Sequence, residues 1–409
     1  MTMDTFTQGS IEEFIQSMAL LNQTMPGFKL TEDGIQIPNC SDLFDMVNTS
    51  EVVESTLTLH QRVTLGRLYY SLYSVVIPVV CVFGFFGNIL NIAVFSKKKM
   101  CKTLDDIEYC TTIFLIALAI SDLMFCTCTF PNAFVKTETL YAITDFQLYY
   151  KMYSVFAINT FIMSSTLLTV FTAIMRYTAI CHPFHSRQFI SFKKTIGAII
   201  VVFAFSAGFN CPAIWRYSME EVNCSGPETY VELKTEIFKD VKFVYIHKLL
   251  WAVVGNFVPL ILLLYCNIRL VKALHASQQL RLLHSRDNAG CLSAHRRINI
   301  TLITIIILFF LLVAPSEIAK FISYVPNSHS ESAKNSFTYL LVSMITNTLQ
   351  CINFSVNFVL YYIIIAPFRK TLHEFVCILK SRRGTRDSSN SQKQTCIVLT
   401  LKEQRRALL

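Results

Sequence analysis

Seven long apolar runs, separated by polar and charged segments, dominate the residue pattern of this chain. Each run is long enough to cross a bilayer core of about 30 Å as a helix that rises about 1.5 Å per residue. None alternates with the two-residue period of a barrel strand, and only helices or closed barrels satisfy the backbone in lipid. The pattern predicts an all-α membrane protein, a seven-transmembrane helix bundle. Runs 1 to 7 cover residues 68–96, 109–135, 152–175, 195–215, 249–268, 298–325 and 335–368.

The charges between the runs indicate how the chain crosses the membrane. Lysine and arginine are concentrated after runs 1, 3, 5 and 7, whereas the alternate loops are mixed or acidic. Because cytoplasmic loops carry the excess of basic residues, we expect a multi-pass plasma-membrane protein with its N-terminus extracellular and its C-terminus cytoplasmic. Four glycosylation sequences agree with this orientation. They begin at Asn22, Asn39, Asn48 and Asn223.

The polar segments divide the chain into four parts. Residues 1–66 are predicted to be a glycosylated extracellular tail, and residues 67–367 the seven-transmembrane domain. Residues 368–380 carry apolar side chains at the spacing of an amphipathic helix on the inner leaflet. Cys377 in that helix is either acylated or simply apolar packing. Residues 381–409 are predicted to be a disordered cytoplasmic tail, with candidate phosphorylation sites that would recruit an arrestin. These are Ser388, Ser389 and Ser391.

Composition argues against several other functions. Only 15% of the residues are charged, against about 25% in soluble proteins. The net charge of +9 does not indicate nucleic-acid binding, because the basic residues cluster at the ends of apolar runs. The fourteen cysteines lack metal-binding spacing, and no metalloprotease, nucleophile-elbow or P-loop motif indicates an enzyme. A membrane transporter is the competing class, but the runs show no internal repeat.

A single carboxylate lies in the middle of run 2. Leaving Asp122 in the membrane costs at least about 2.5–3.5 kcal/mol unless it faces a polar interior. A carboxylate among hydroxyl and amide oxygens suits a sodium ion or a proton, and no other metal or cofactor is expected. The alternative is a structural hydrogen-bonded contact between helices. The candidate partners are Asn88, Ser165, Asn353 and Asn357.

Arg176 follows an uncharged stretch of run 3 that is long enough to span the membrane. It either reaches into water as a helix-end charge or lies beneath the bundle in a functional role.

Pro259 and Pro315 lie within runs 5 and 6, where each removes a backbone donor and bends its helix. Two bent helices flanking a long basic loop are consistent with a hinge.

Six of these features occur together in one family. They are Gly87-Asn88, LAISD at 118–122, MRYTAICHP at 175–183, Pro259, Pro315 and NFSVNFVLY at 353–361. Over roughly residues 68–380 the chain resembles a rhodopsin-like (class A) G-protein-coupled receptor. Its Asn357-Phe358 is similar to invertebrate FMRFamide and myosuppressin receptors. The resemblance implies a receptor that binds an extracellular ligand, a small neuropeptide, and activates a heterotrimeric G protein through outward movement of the run 6 helix.

The resemblance also implies roles for individual residues. Arg176 matches the arginine that engages the G protein, and Tyr361 matches the tyrosine that rearranges with it. Other positions implied in coupling and activation are Tyr177, Asn357, Pro259 and Pro315. The positions that match the family's sodium pocket are Asp122, Ser165, Asn353 and Asn357.

The chain departs from the family pattern at both ends of run 3. Met175 replaces the acidic residue before the arginine, and residues 295–297 carry no acidic partner for it. Arg176 therefore lacks an obvious restraint, and an atypical receptor with constitutive signalling is the alternative function. The outer end of run 3 lacks the cysteine that normally pairs with the second outer loop. This leaves Cys224 over, and its pairing with Cys40 is a hypothesis.

The resemblance also limits the ligand class. Ile158 stands where amine receptors carry aspartate, and Cys351 stands where opsins carry the lysine that holds retinal. Glu317 and Lys320 lie three residues apart in run 6 and either pair with each other or face a pocket. In a pocket, Glu317 suits a cationic ligand side chain such as arginine. Weaker ligand-binding candidates are Lys136, Asn159, Trp251, Asn347 and Gln350.

Overall fold

The computed structural model describes residues 29–31, 34–36, 58–97, 106–135, 146–182, 186, 190–223, 229–284, 311–312, 315 and 337–383. Run 6 lies outside the described residues except at positions 311, 312 and 315. Within the described residues, five helices are long and apolar enough to cross a membrane. Run 7 becomes a sixth when it is combined with the helix that follows it at an angle of 94°. The predicted multi-pass helical architecture is confirmed.

The helices of runs 1, 3 and 5 extend well beyond the apolar runs that predicted them, whereas the run 7 helix is shorter than its run. The run 1 helix comprises Leu59–Tyr69, a π-helical segment at Tyr70–Val76 and Ile77–Phe95. Runs 2, 3 and 4 form Asp106–Thr129, Phe146–Cys181 and Phe192–Asn210, with 3₁₀ turns at Phe130–Ala133 and Cys211–Trp215. A helical turn at Glu236–Lys239 precedes the run 5 helix, which comprises Val241–Leu250, a π-helical segment at Trp251–Phe257 and Val258–His284. Run 7 forms Phe337–Ile364, and the amphipathic helix is Ala366–Arg383.

The first helix begins inside the segment predicted to be tail. Thr58 is its N-cap: its side chain accepts a hydrogen bond from the Gln61 amide at 3.3 Å, and the Gln61 side chain accepts one from the Thr58 amide at 2.9 Å. This capping box satisfies two backbone donors that would otherwise lack partners. The first turns of the helix are polar, so an apolar pattern alone places the start too late.

Pro259 lies immediately after the π-helical segment of run 5. Proline cannot donate a backbone hydrogen bond, and its ring displaces the carbonyl of the preceding turn. The wider π-helical turns accommodate that displacement. The π-helical segment is a local widening of the helix beside the proline, whereas the bend predicted at Pro259 stays a prediction.

Runs 1, 2 and 7 meet closely around Gly84. A Cβ atom added there would lie 2.3 Å from the Ser355 Oγ atom and 2.7 Å from the Cys126 Sγ atom. Ser355 also donates a hydrogen bond to the Val80 carbonyl at 3.0 Å. Only a residue without a side chain lets the run 1 backbone come this near. This contact fixes run 7, and with it Asn357, against the rest of the bundle.

Gly84→Ala is expected to destabilise the bundle by about 1–3 kcal/mol, because the added methyl group overlaps Ser355 and Cys126. The measurement is the melting temperature of the purified protein together with the fraction that reaches the cell surface. Gly197→Ala is the matched control, because nothing lies within 4 Å of a Cβ at that helical position. Equal behaviour of the two variants would contradict the close contact.

A small four-stranded sheet, which the sequence analysis did not predict, is added to the helices. Its strands are β1 Lys29–Thr31, β2 Gly34–Gln36, β3 Tyr217–Asn223 and β4 Thr229–Lys234, in the order β1-β2-β3-β4. β2 pairs in parallel with β3, and Gln36 is aligned with Asn223. The other two pairings are antiparallel. The sheet joins the N-terminal segment to the loop between runs 4 and 5.

The amphipathic helix is anchored to the ends of runs 1 and 7. Phe368 is buried against Phe95 and Tyr361, with ring centroids 5.3 and 5.9 Å away. Arg369 donates hydrogen bonds to two carbonyls at the end of run 7, which satisfies part of that helix terminus. Lys97, just beyond run 1, lies 4.7 Å from the centre of the Phe375 ring.

Candidate functional site

The polar centre of the bundle is built around Asp122, which is 0% exposed. Ser165 donates a hydrogen bond to Asp122 Oδ1 at 2.6 Å, and the Asn357 side-chain amide donates one to Oδ2 at 2.7 Å. Runs 2, 3 and 7 are therefore linked through one carboxylate. Both hydrogen bonds are short and shielded from water, where such bonds are stronger than at a surface, so this contact aligns the three helices firmly.

Asn88 and Asn353 do not join this contact. The Asn88 amide donates a hydrogen bond to the Phe354 carbonyl at 3.0 Å, and its oxygen accepts one from Asn91 at 3.2 Å. Asn88 therefore holds run 1 to run 7 instead of contacting the carboxylate. Asn353 is buried nearby, but it makes no hydrogen bond to Asp122. The predicted set of four partners is thus reduced to two.

The site offers limited ligands for a cation. Asp122 and Ser165 supply carboxylate and hydroxyl oxygens, the types that a hard cation prefers. Asn357 presents its nitrogen toward the carboxylate, so its oxygen would have to turn inward to coordinate an ion. Asp122 and Ser165 can therefore offer oxygen ligands to a sodium ion directly, and Asn357 can do so after its amide rotates. Within the described residues, no group of three His, Cys, Asp or Glu side chains could hold a metal.

Arg176 lies at the inner end of run 3, and its side chain is 6% exposed. Its Nε atom has no hydrogen-bond partner among the described residues. Arg176 therefore lies beneath the bundle and not at a water-exposed helix end. Tyr177 contacts the inner part of run 5 through an edge-to-face arrangement with Tyr265, and its hydroxyl lies 3.2 Å from His182 Nε2.

Tyr361 is buried near the inner end of run 7, where its ring packs edge-on against Phe95 at 5.1 Å. Its hydroxyl has no hydrogen-bond partner in the described part of the chain. A buried hydroxyl without a partner costs about 1–3 kcal/mol, so another arrangement of this side chain that satisfies it would be favoured. This makes Tyr361 suited to a rearrangement between two states.

Three of the ligand candidates lie in the outer half of the bundle. Asn347 donates a hydrogen bond to the Tyr73 hydroxyl at 3.3 Å and links run 7 to run 1. The side-chain oxygens of Asn159 and Gln350 are buried and accept no hydrogen bond from any described residue. They lie roughly 9–10 Å outward from the level of Asp122, counting about 1.5 Å per residue along runs 3 and 7. Each is an acceptor that a ligand donor would satisfy.

Trp251 serves as a contact between helices. Its side chain is 3% exposed, and its indole nitrogen donates a hydrogen bond to the Asn210 side-chain oxygen at 3.1 Å. The Asn210 amide in turn bonds the Ser206 carbonyl at 2.8 Å. Trp251 thus joins run 5 to run 4, and this contact occupies its only hydrogen-bond donor. The sequence offered little sign of this partnership, because Asn210 lies at the end of an otherwise apolar run.

Several predicted positions lie outside the described residues. They are Asn22, Asn39, Asn48, Cys40, Cys224, Lys136, Glu317 and Lys320. Pro315 is described only as an exposed helical position, and Asn223 is the last residue of β3. Cys377 is disulfide-bonded in this structure. An acyl chain needs the free thiol, so acylation there requires the reduced form.

Comparisons with known proteins identify the family to which this chain is similar. The family model described as 7 transmembrane receptor (rhodopsin family) matches residues 87–361. The FMRFamide receptor of Drosophila melanogaster is 24% identical over 339 residues, covering 79% of this chain and 56% of that protein. A probable G-protein coupled receptor of Caenorhabditis elegans is 26% identical over 238 residues, covering 56% and 52%. The chain therefore spans about half the length of these two relatives.

A third relative, the human thyrotropin-releasing hormone receptor, is 29% identical over 156 residues, covering 36% of this chain and 35% of that protein. The family match begins at Gly87 in run 1 and ends at Tyr361 in run 7, so it includes runs 2 to 6, parts of runs 1 and 7, and the whole polar centre. The family consists of receptors and not of enzymes. The chain belongs to the rhodopsin family of seven-transmembrane receptors.

Proposed function

We propose that this protein is a plasma-membrane receptor that binds a small extracellular peptide and activates a heterotrimeric G protein. Two observations carry the proposal in a rhodopsin-family bundle: the buried Asp122–Asn357 hydrogen bond and the burial of Arg176 at the inner end of run 3. Burying these groups in a membrane protein is costly, and such residues are retained at functional sites. The names of two relatives, the FMRFamide and thyrotropin-releasing hormone receptors, support a peptide ligand.

Activation requires Arg176 to become accessible. In the structure its side chain is enclosed, so a G protein cannot contact it without movement of a neighbouring helix. An outward movement of the run 6 helix, hinged at Pro315 and coupled to run 5 near Pro259, would open that inner end. Tyr361, with its unsatisfied hydroxyl, would then gain a partner. The ligand drives the change only to the extent that it binds the open state more tightly.

The chemistry of the outer half suits a peptide. The Asn159 and Gln350 oxygens are acceptors for the backbone N–H groups or terminal amide of a peptide. We propose that Glu317 binds a basic side chain of that peptide and that Lys320, Asn347 and Lys136 complete the polar surroundings. Trp251 would contribute indirectly, by holding runs 4 and 5 together.

Sodium is proposed as a modulator and not as a required cofactor. Asp122 and Ser165 would hold the ion, and Asn357 would join after its amide turns. A bound ion would add to the links among runs 2, 3 and 7 and so favour the resting state.

Further proposals concern the two faces of the receptor. A disulfide between Cys40 and Cys224 is proposed, because the pairing of β2 with β3 brings together the segments that precede these two cysteines. Glycans are proposed on Asn22, Asn39, Asn48 and Asn223, with the N-terminus extracellular. An arrestin is proposed as a partner of the phosphorylated cytoplasmic tail.

The experiment that tests the function is a neuropeptide library screen on transfected cells, with calcium and cyclic-AMP readouts. A peptide response that is absent from mock-transfected cells is expected. Substrate uptake without any second-messenger change would favour the transporter alternative instead.

Constitutive signalling is the second candidate, and the burial of Arg176 without a direct ion pair in the described part of the chain favours it. Ligand-free output is expected to exceed that of mock-transfected cells by roughly twofold or more. A change of less than about 1 kcal/mol in the free-energy difference between the resting and active states is enough to change their population ratio by that factor. The measurement is inositol phosphate and cyclic AMP per surface receptor. Output equal to the mock level would exclude this behaviour.

A further inference from the structure

Arg176 is a buried cation that needs a compensating charge. A charge held away from water is costly unless an opposite charge offsets it. Arg176 forms no direct ion pair with a carboxylate in the described residues, and Met175 offers none. Within the part of the chain that the structure describes, a compensating carboxylate must therefore act from another helix.

The packing of runs 2 and 3 identifies a carboxylate at the same depth. Ser121 donates a hydrogen bond to the Phe161 carbonyl at 2.9 Å, and the Phe114 and Phe171 rings stack 6.3 Å apart. The two helices are antiparallel neighbours, so moving inward from the stacked rings leads back along run 2 and forward along run 3. Glu108 lies six residues before Phe114, or roughly 9 Å further inward along run 2. Arg176 lies five residues after Phe171, or roughly 8 Å further inward along run 3.

Glu108 has the environment of a counter-charge. It is half-buried in the first turn of the run 2 helix, whereas Asp106 on the same turn is exposed. Because Glu108 and Arg176 lie at the same depth on adjacent helices, the negative charge of Glu108 favours the Arg176 cation through space. In a partly buried setting, attraction between opposite charges extends beyond direct contact, because water screens it less.

We propose that Glu108 is the positioning residue that holds Arg176 between runs 2 and 3 in the resting receptor. It replaces the acidic neighbour that Met175 does not provide. This role rests on the proposed function, since Arg176 must leave this field to engage a G protein. A restraint at longer range is weaker than a direct ion pair, which is consistent with a receptor that retains ligand-free output.

Glu108→Gln is the test variant, and Asp106→Asn is its matched control. Both remove one negative charge from the same helical turn and weaken the helix dipole interaction equally. Only the first changes the field at Arg176. Ligand-free output per surface receptor is expected to rise roughly fivefold or more in Glu108→Gln, the lower end of typical coupling between sites. Asp106→Asn is expected to match the wild type, and Glu108→Asp is expected to stay within about twofold of it.

A double variant, Glu108→Gln with Arg176→Ala, separates this inference from the receptor function. Loss of the raised output in the double variant would support action through Arg176. Equal output of Glu108→Gln and Asp106→Asn would overturn the counter-charge role, even where a peptide response shows that the receptor signals. A raised output that persists without Arg176 would overturn it as well.

Discussion

Arg176→Ala is expected to abolish peptide-stimulated second-messenger output, to less than roughly a tenth of the wild-type level. Arg176 is the only cation that the structure describes as buried at the inner end of the bundle. Its planar guanidinium offers five donors for backbone carbonyls and carboxylates of an intracellular partner. The measurement is a calcium or cyclic-AMP dose response to the peptide found in the library screen.

The control separates loss of coupling from loss of folding. Surface expression of Arg176→Ala is expected to stay near the wild-type level. Arg176 has no direct ion-pair partner among the described residues, so its removal does not leave a contacting carboxylate buried without an opposite charge. Arg62→Ala, an exposed arginine at the outer end of run 1, is expected to leave both expression and output unchanged. A full peptide response in Arg176→Ala at normal surface expression would contradict G-protein activation through this residue.

The sequence predicted the centre of the site better than its surroundings. Asp122 had to face a polar interior, and the spacing of runs 3 and 7 correctly placed Ser165 and Asn357 beside it. Asn88 was predicted at the same centre, but a side-chain amide satisfies a backbone carbonyl equally well, and Phe354 supplies one. One-dimensional patterns show which residues must find partners, but they do not choose among partners of similar chemistry.

Contacts between different helices were largely beyond the sequence. Gly84 was recognisable only as a glycine in an apolar run, and its closeness to Ser355 depends on how runs 1 and 7 cross. The parallel pairing of β2 with β3 joins segments nearly two hundred residues apart, which no local pattern indicates. Glu108 lies at the polar start of a helix, where acidic residues are common because they favour the helix dipole. Its relation to Arg176 appears only when the packing of runs 2 and 3 is known.

Asp122→Leu is expected to prevent most of the receptor from reaching the cell surface. The substitution leaves the Ser165 hydroxyl and the Asn357 amide buried without their acceptor, and each such group costs about 1–3 kcal/mol. Together these losses amount to a large part of the 5–15 kcal/mol that typically stabilises a folded domain. The measurement is surface expression and the melting temperature in detergent, compared with Leu262→Ala at an exposed, lipid-facing position of run 5.

A reciprocal exchange tests the geometry more directly. Asp122→Asn alone leaves one acceptor oxygen for two donors, because the Ser165 hydroxyl and the Asn357 amide both donate to Asp122. Adding Asn357→Asp returns one carboxylate and one amide to the same contact with the donor and acceptor exchanged. The double variant is therefore expected to recover at least about half of the melting temperature and surface expression lost in Asp122→Asn, because residues in direct contact are energetically coupled. Additive losses in the two single variants and the double variant would show that the two side chains do not interact in the folded receptor, and the link between runs 2 and 7 would then lack its central contact.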